Sequence, residues 1–112
     1  MNPLREVITR LPGHWYKGGY GDGKGNYCGV GHLSEYGYNV GSSQEEMNEA
    51  FKLMNEVAFE QYPERATYVI NFGSDVQEVA KSFANFNDHP DTTEEEVIAV
   101  MEKAAVRFEE RL

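Results

Sequence analysis

One cysteine, one tryptophan, four prolines and only ten basic residues against nineteen acidic ones leave this 112-residue chain short of several groups on which function is commonly built. A single cysteine, Cys28, excludes an intramolecular disulfide. With imidazoles only at His14, His32 and His89, no Cys-x-x-Cys or His-Glu-x-x-His spacing exists, so neither a metal site nor a cofactor is expected. The few lysines and arginines are scattered, and a net charge of −9 repels phosphate backbones, which argues against direct nucleic-acid binding. No apolar run approaches the roughly 20 residues that span a bilayer, and no apolar stretch of signal-peptide type follows Met1. The chain is therefore expected to be cytoplasmic, with no membrane association.

What remains is enough for one folded unit. A hydrophobic fraction of 40% and an aromatic fraction of 12% argue against disorder, and the length suits a single domain over residues 1–112. Asn2-Pro3 is a helix-start signal, after which Leu4, Val7, Ile8 and Leu11 line one side until Pro12-Gly13. Ser43 with Glu46 forms a capping box ahead of Met47, Ala50, Phe51, Met54, Val57 and Ala58 at helical spacing, and Pro63 closes that helix. Thr93 with Glu96 opens a last helix whose inward set is Val97, Ile98, Met101, Ala105, Phe108 and Leu112. Glu94, Glu95 and Glu96 lie at the positive end of that helix dipole, a structural role.

Eight of the eleven glycines fall between Gly13 and Gly31, interleaved with Trp15, Tyr16, Tyr20, Tyr27 and Cys28. Glycine inside regular structure costs about 0.5–1 kcal/mol relative to alanine, so this density implies positive φ angles or close backbone approach. The alternation around Gly21-Asp22-Gly23-Lys24-Gly25 predicts a glycine-rich β-hairpin, followed by a short helix from Cys28 to Tyr36 that stops at Gly37. Thr67–Phe72 reads as an edge strand added to that hairpin, or as a buried turn. Val76, Val79, Ala80, Phe83 and Ala84 predict a further helix from Asp75 to about Asn87. The fold class is thus mainly α (α+β), a small bundle of four or five helices carrying a glycine-rich β-hairpin.

Two sets of residues could carry function. Cys28, at the expected N-terminus of a helix, is placed where a dipole favours thiolate, and a cysteine hydrolase or transferase would pair it with His32 or His89 as base and Asn87 or Asp88 as orienting group. Against this stands the ordinary buried cysteine packed beside Val30 and Leu33. Trp15, Tyr16, Tyr20 and Tyr27, with Tyr36 and Tyr38, could present a surface to a protein partner, or close one end of the core. A third reading is a protein that sequesters a small ligand or nucleotide. The glycine loop matches no phosphate-binding fingerprint, however, so that reading requires Arg5, Lys17 and Lys24 to gather in space.

Trp15, the Gly18–Gly25 region, Tyr27-Cys28-Gly29-Val30-Gly31-His32-Leu33 and Phe86-Asn87-Asp88-His89-Pro90 together form a recognisable pattern. It resembles a family of small, functionally uncharacterised proteins of actinobacteria and their phages, with an aromatic-Cys-x-x-Gly-x-Leu segment and an aromatic-Asn-Asp near the end. The alanine usual after the cysteine is Gly29 here. The resemblance implies no reaction or ligand, and marks Trp15, Cys28, Gly31, Asn87 and Asp88 as positions to watch. The reading that follows is a small acidic protein-binding module, with the cysteine enzyme and the ligand-sequestering protein as alternatives.

Overall fold

A computed structural model describes residues 2–71, 73 and 77–111, apart from the side chains at positions 38, 39, 71, 77 and 78. Its elements run α1 (Pro3–Arg10), α2 (Gly29–Tyr36), α3 (Gln44–Gln61), β1 (Thr67–Asn71), β2 (Gln77–Lys81), α4 (Phe83–Asp88) and α5 (Glu94–Glu110), with a 3-10 turn at Gly37–Val40. The fold is mainly α with a small antiparallel β-hairpin, as the sequence predicts.

Capping chemistry sets the helix starts. The Asn2 side chain accepts from the Leu4 amide, and Ser43 and Thr93 each form a reciprocal capping box, with Glu46 and Glu96. The long helices α3 and α5 pack on each other, and α1 packs against both α2 and α5. Between them Leu4, Val7, Met47, Leu53, Met54, Val57, Val97, Met101 and the α4 rings Phe83 and Phe86 are almost wholly buried. Each such side chain contributes about 1.5–3 kcal/mol relative to exposure. The expected inward residues Ile8, Phe51 and Ile98 pack against this core while staying partly exposed.

Two assignments are corrected. Residues 14–28 form an irregular loop rather than a hairpin, held by isolated bridges of Trp15 (parallel) and Gly21 (antiparallel) to the single residue Tyr27. Asp22 explains the tip: its carboxylate accepts from the Lys24 amide at 2.7 Å and the Asn26 amide at 3.2 Å, coiling the chain locally in place of a ladder. The antiparallel pair lies instead at β1 and β2, with Val69 opposite Val79 and Tyr68 opposite Ala80. Within the segment expected to be helical, Gln77–Lys81 is therefore strand and Phe83–Asp88 is helical, capped by Ser82. Val79 is 63% exposed rather than inward, and Ala84 is exposed too. Apolar residues three and four apart favour a helix, but over so short a stretch pairing with the β-branched β1 overrides the pattern. Phe72, Asp75, Val76 and Leu112 lie outside the described residues, as does the Tyr38 side chain.

Candidate functional site

Asn87, fully buried, joins the two distant motifs. Its Oδ1 accepts from the Trp15 indole at 2.7 Å and from the Gly29 amide at 3.1 Å, while Nδ2 donates to the Tyr16 carbonyl at 3.1 Å and to Asp88 Oδ1 at 3.0 Å. Those four bonds use both donors and both lone pairs of the amide. Asp88 Oδ1 also accepts from the Gly18 amide at 2.9 Å, a residue with φ +98° that glycine adopts without strain. Lys17 then reaches the carbonyls of Pro90 at 3.2 Å and Thr92 at 2.6 Å. The loop is thereby fastened to the turn between α4 and α5 by side chains of both segments.

Close approach accounts for two glycines. A Cβ on Gly31 would sit 2.7 Å from the Tyr20 carbonyl, and one on Gly29 would sit 2.4 Å from the Phe83 ring. Hence α2 can start directly beneath the loop and against α4.

Cys28 is the N-cap of α2, and its Sγ accepts from the Gly31 amide at 3.2 Å. The thiol is 7% exposed. Burial, reinforced by the charge of Asp88, pushes its pKa up, and the Gly31 and Val30 amides oppose this only in part. Cys28 and Asp88 do share the wall of a cavity of about 270 Å³ with Tyr20 and Val30. Among the described residues no imidazole is hydrogen-bonded to the sulfur: His32 Nε2 donates to the His14 carbonyl at 2.9 Å, and His89 Nδ1 accepts from the Asp91 amide at 3.1 Å. Of the aromatic set, Tyr20 is half exposed, with its hydroxyl donating to Glu35 at 2.9 Å. Trp15, Tyr16 and Tyr27 are half-buried, and Tyr27 meets the rings of Tyr20, His32 and Tyr36 edge-on.

A second cavity, of about 470 Å³, opens between the C-terminal end of α1, the loop and α2. Thr9, Arg10, His14, Lys24, His32 and Tyr36 line it. Arg10, which lines the cleft, lies 4.3 Å above the Tyr36 ring and donates its Nε to Glu6 at 2.5 Å. His32 stacks on Tyr36 and is 1% exposed. Because a carbonyl can only accept, the bond to His14 fixes the proton of neutral His32 on Nε2, and Nδ1 is buried without a partner. Burial first, then the neighbouring His14 and Arg10, hold the His32 pKa below its ordinary value against the pull of that carbonyl. Of the lysines and arginine expected to gather, only Lys24 is here, since Arg5 pairs with Glu109 at 2.5 Å and Lys17 is spent on carbonyls. Arg10 and the His14–His32 contact carried no sequence signal, because a helix end, a loop and a second helix must first be brought together.

A family described as "Family of unknown function (DUF6197)" matches residues 3–107. The chain belongs to it. The match runs from the start of α1 into the last turn of α5, so both cavities and the Asn87 junction lie inside the DUF6197 domain. No curated protein and no solved structure matches the chain. Among the described residues no helix of the DUF6197 chain is long and apolar enough to cross a membrane, and no cluster of His, Cys, Asp or Glu is arranged to hold a metal ion.

Proposed function

We propose that this chain is a binding module that takes a small polar ligand, of negative charge, in the cleft between α1, the loop and α2. One observation carries the reading: in a chain of net charge −9, the described residues lining the larger of these two cavities include Arg10, Lys24, His14 and His32 and no carboxylate, Glu6 being paired to the Arg10 Nε. Focusing of positive potential in such a cleft raises the local concentration of an anion despite the acidic surface elsewhere. The expected test is chemical-shift mapping on the labelled protein with matched sets of small anionic and cationic compounds. Anions should perturb residues 9–14, 24–25 and 32–36, and Arg10→Gln with Lys24→Gln should remove the effect. Perturbation by cations alone would overturn the proposal.

The catalytic alternative on Cys28 is weaker, because the thiol is buried, its pKa is raised, and its hydrogen bond comes from a backbone amide rather than a base. Alkylation of Cys28 by iodoacetamide at pH 7.5 should run slower than that of a free thiol, and a faster reaction would restore the enzyme reading. A protein-binding role draws support from a different place, the exposed Tyr68, Val69 and Val79 of β1 and β2. Crosslinking at Val79→Cys in the presence of cell extract, set against a loop position, would distinguish that face from the cleft.

A further inference from the structure

His32 combines three properties that packing alone does not require. It is buried, its neutral tautomer is fixed by the His14 carbonyl, and its Nδ1 has no partner. A lone pair buried without a donor is destabilising. Protonation would turn Nδ1 into a donor, but would also bury a cation, which the neighbouring His14 and Arg10 disfavour. The groups around the ring supply no counter-charge. From α1 come Arg10 and, behind it, Glu6, whose carboxylate is engaged by the Arg10 Nε. From the loop come His14, Lys24 and Tyr27, with Asp22 turned onto the Lys24 and Asn26 amides, and from α2 itself comes Tyr36. Among the described residues His32 has no ion pair with any carboxylate. An anion in the cleft, which His32 lines, would supply that charge.

We propose that the cleft is a site for a small oxyanion of the sulfate or phosphate class, held by the fixed charges of Arg10 and Lys24, and that His32 takes up a proton as the anion enters. This rests on the reading of the cleft as an anion site and adds the ligand class and its coupling to pH. The balance is simple: protein, anion and one solvent proton give the complex, with the proton residing on His32 Nδ1. An opposite charge within about 4–6 Å favours the charged imidazole, so the anion raises the pKa that burial lowers. Linkage makes the effect reciprocal, and the anion must bind more tightly as pH falls.

Sulfate is the probe, because its own charge is constant through this pH range and any pH dependence belongs to the protein. Titration calorimetry at fixed ionic strength, with chloride as the control anion, should show saturable binding that tightens about tenfold between pH 7.5 and 5.5. His14→Asn should keep most of that dependence, whereas His32→Gln, whose amide can still donate to the His14 carbonyl, should bind with little pH dependence. If His32→Gln fails to fold, the His32 ring resonances of the wild-type protein give the same answer, and sulfate should raise the His32 pKa by about one unit. Sulfate binding that is lost in Arg10→Gln and Lys24→Gln but equal at both pH values, with an unmoved His32 titration, would overturn the proton coupling and leave the anion site standing. No saturable sulfate binding at either pH would overturn both.

Discussion

The glycine-rich loop and the β1–β2 hairpin are both non-helical, and they are held in opposite ways. The hairpin has a regular main-chain ladder, with one long-range side-chain tie from Asn85 to the Thr67 carbonyl, and its paired residues Val69 and Val79 are 53% and 63% exposed. The loop has almost no ladder, yet long-range hydrogen bonds from Asn87, Asp88 and Lys17 tie it to the α4–α5 turn. Regular backbone pairing is thus neither needed to fasten a segment nor sufficient to bury it. A cleft lined by residues from three elements can be kept in shape by a loop of this second kind, because its anchors lie in the core.

Removing the anchor should show the difference most strongly. Asn87→Ala leaves the Trp15 indole, the Gly29 amide and the Tyr16 carbonyl without their shared partner, and a cost of about 2–4 kcal/mol is expected from a buried network of this size. Urea denaturation measures it, and a loss under 1 kcal/mol would mean that the loop holds itself. Gly29→Ala comes next. The new methyl would meet the Phe83 ring at 2.4 Å, inside the core, and overpacking of this kind costs about 1–3 kcal/mol. Pairing it with Phe83→Leu should recover part of the loss, which would attribute the cost to that contact rather than to helix propensity.

Acid should act on the loop and spare the hairpin. The folded pKa of His32 lies below its ordinary value of 6.5, chiefly through burial, so the unfolded chain binds the proton first as pH falls. Stability is then complete above about pH 6.5 and declines below it, by at most about 1.4 kcal/mol per pH unit for one proton. Glu60, Glu96 and Glu109 have lowered pKa values and lose their contributions only nearer pH 4, outside this window. Urea midpoints at pH 7.5 and 5.5 should differ in the wild type, and the difference should shrink in His32→Gln. Equal slopes in the two proteins would remove His32 as the cause.

How much of this was legible in the sequence follows from the range of each interaction. Helix starts at Asn2, Ser43 and Thr93 are written in residues at most three apart, and all are observed. Motif positions Trp15 and Asn87 could be marked, but the 2.7 Å bond between them spans 72 residues and no local rule contains it. Alternation of aromatic and polar residues suggested strands at 14–28, where Asp22 and the glycines instead coil the chain. Val79 and Ala80 suggested a helix where pairing with Thr67–Asn71 makes a strand. Both errors are failures of a short pattern against a tertiary contact. The cleft was beyond reach for the same reason, since Arg10, Lys24 and His32 come from three separate segments.

The smallest effect is expected at the hairpin, and it is the one that can overturn the comparison. Val79→Thr keeps β-branching and exchanges one methyl for a hydroxyl on a residue that is 63% exposed, so stability should change by no more than about 0.5 kcal/mol. That expectation treats the Val69–Val79 face as open to water. If the isolated protein instead loses more than about 1 kcal/mol, and the loss depends on protein concentration, the face is covered by a second copy in solution and the hairpin is as buried as the loop. Sedimentation at two concentrations would then show a dimer that Val79→Thr weakens. A small, concentration-independent change keeps the contrast, with the loop anchored in the core and the hairpin exposed on a regular ladder.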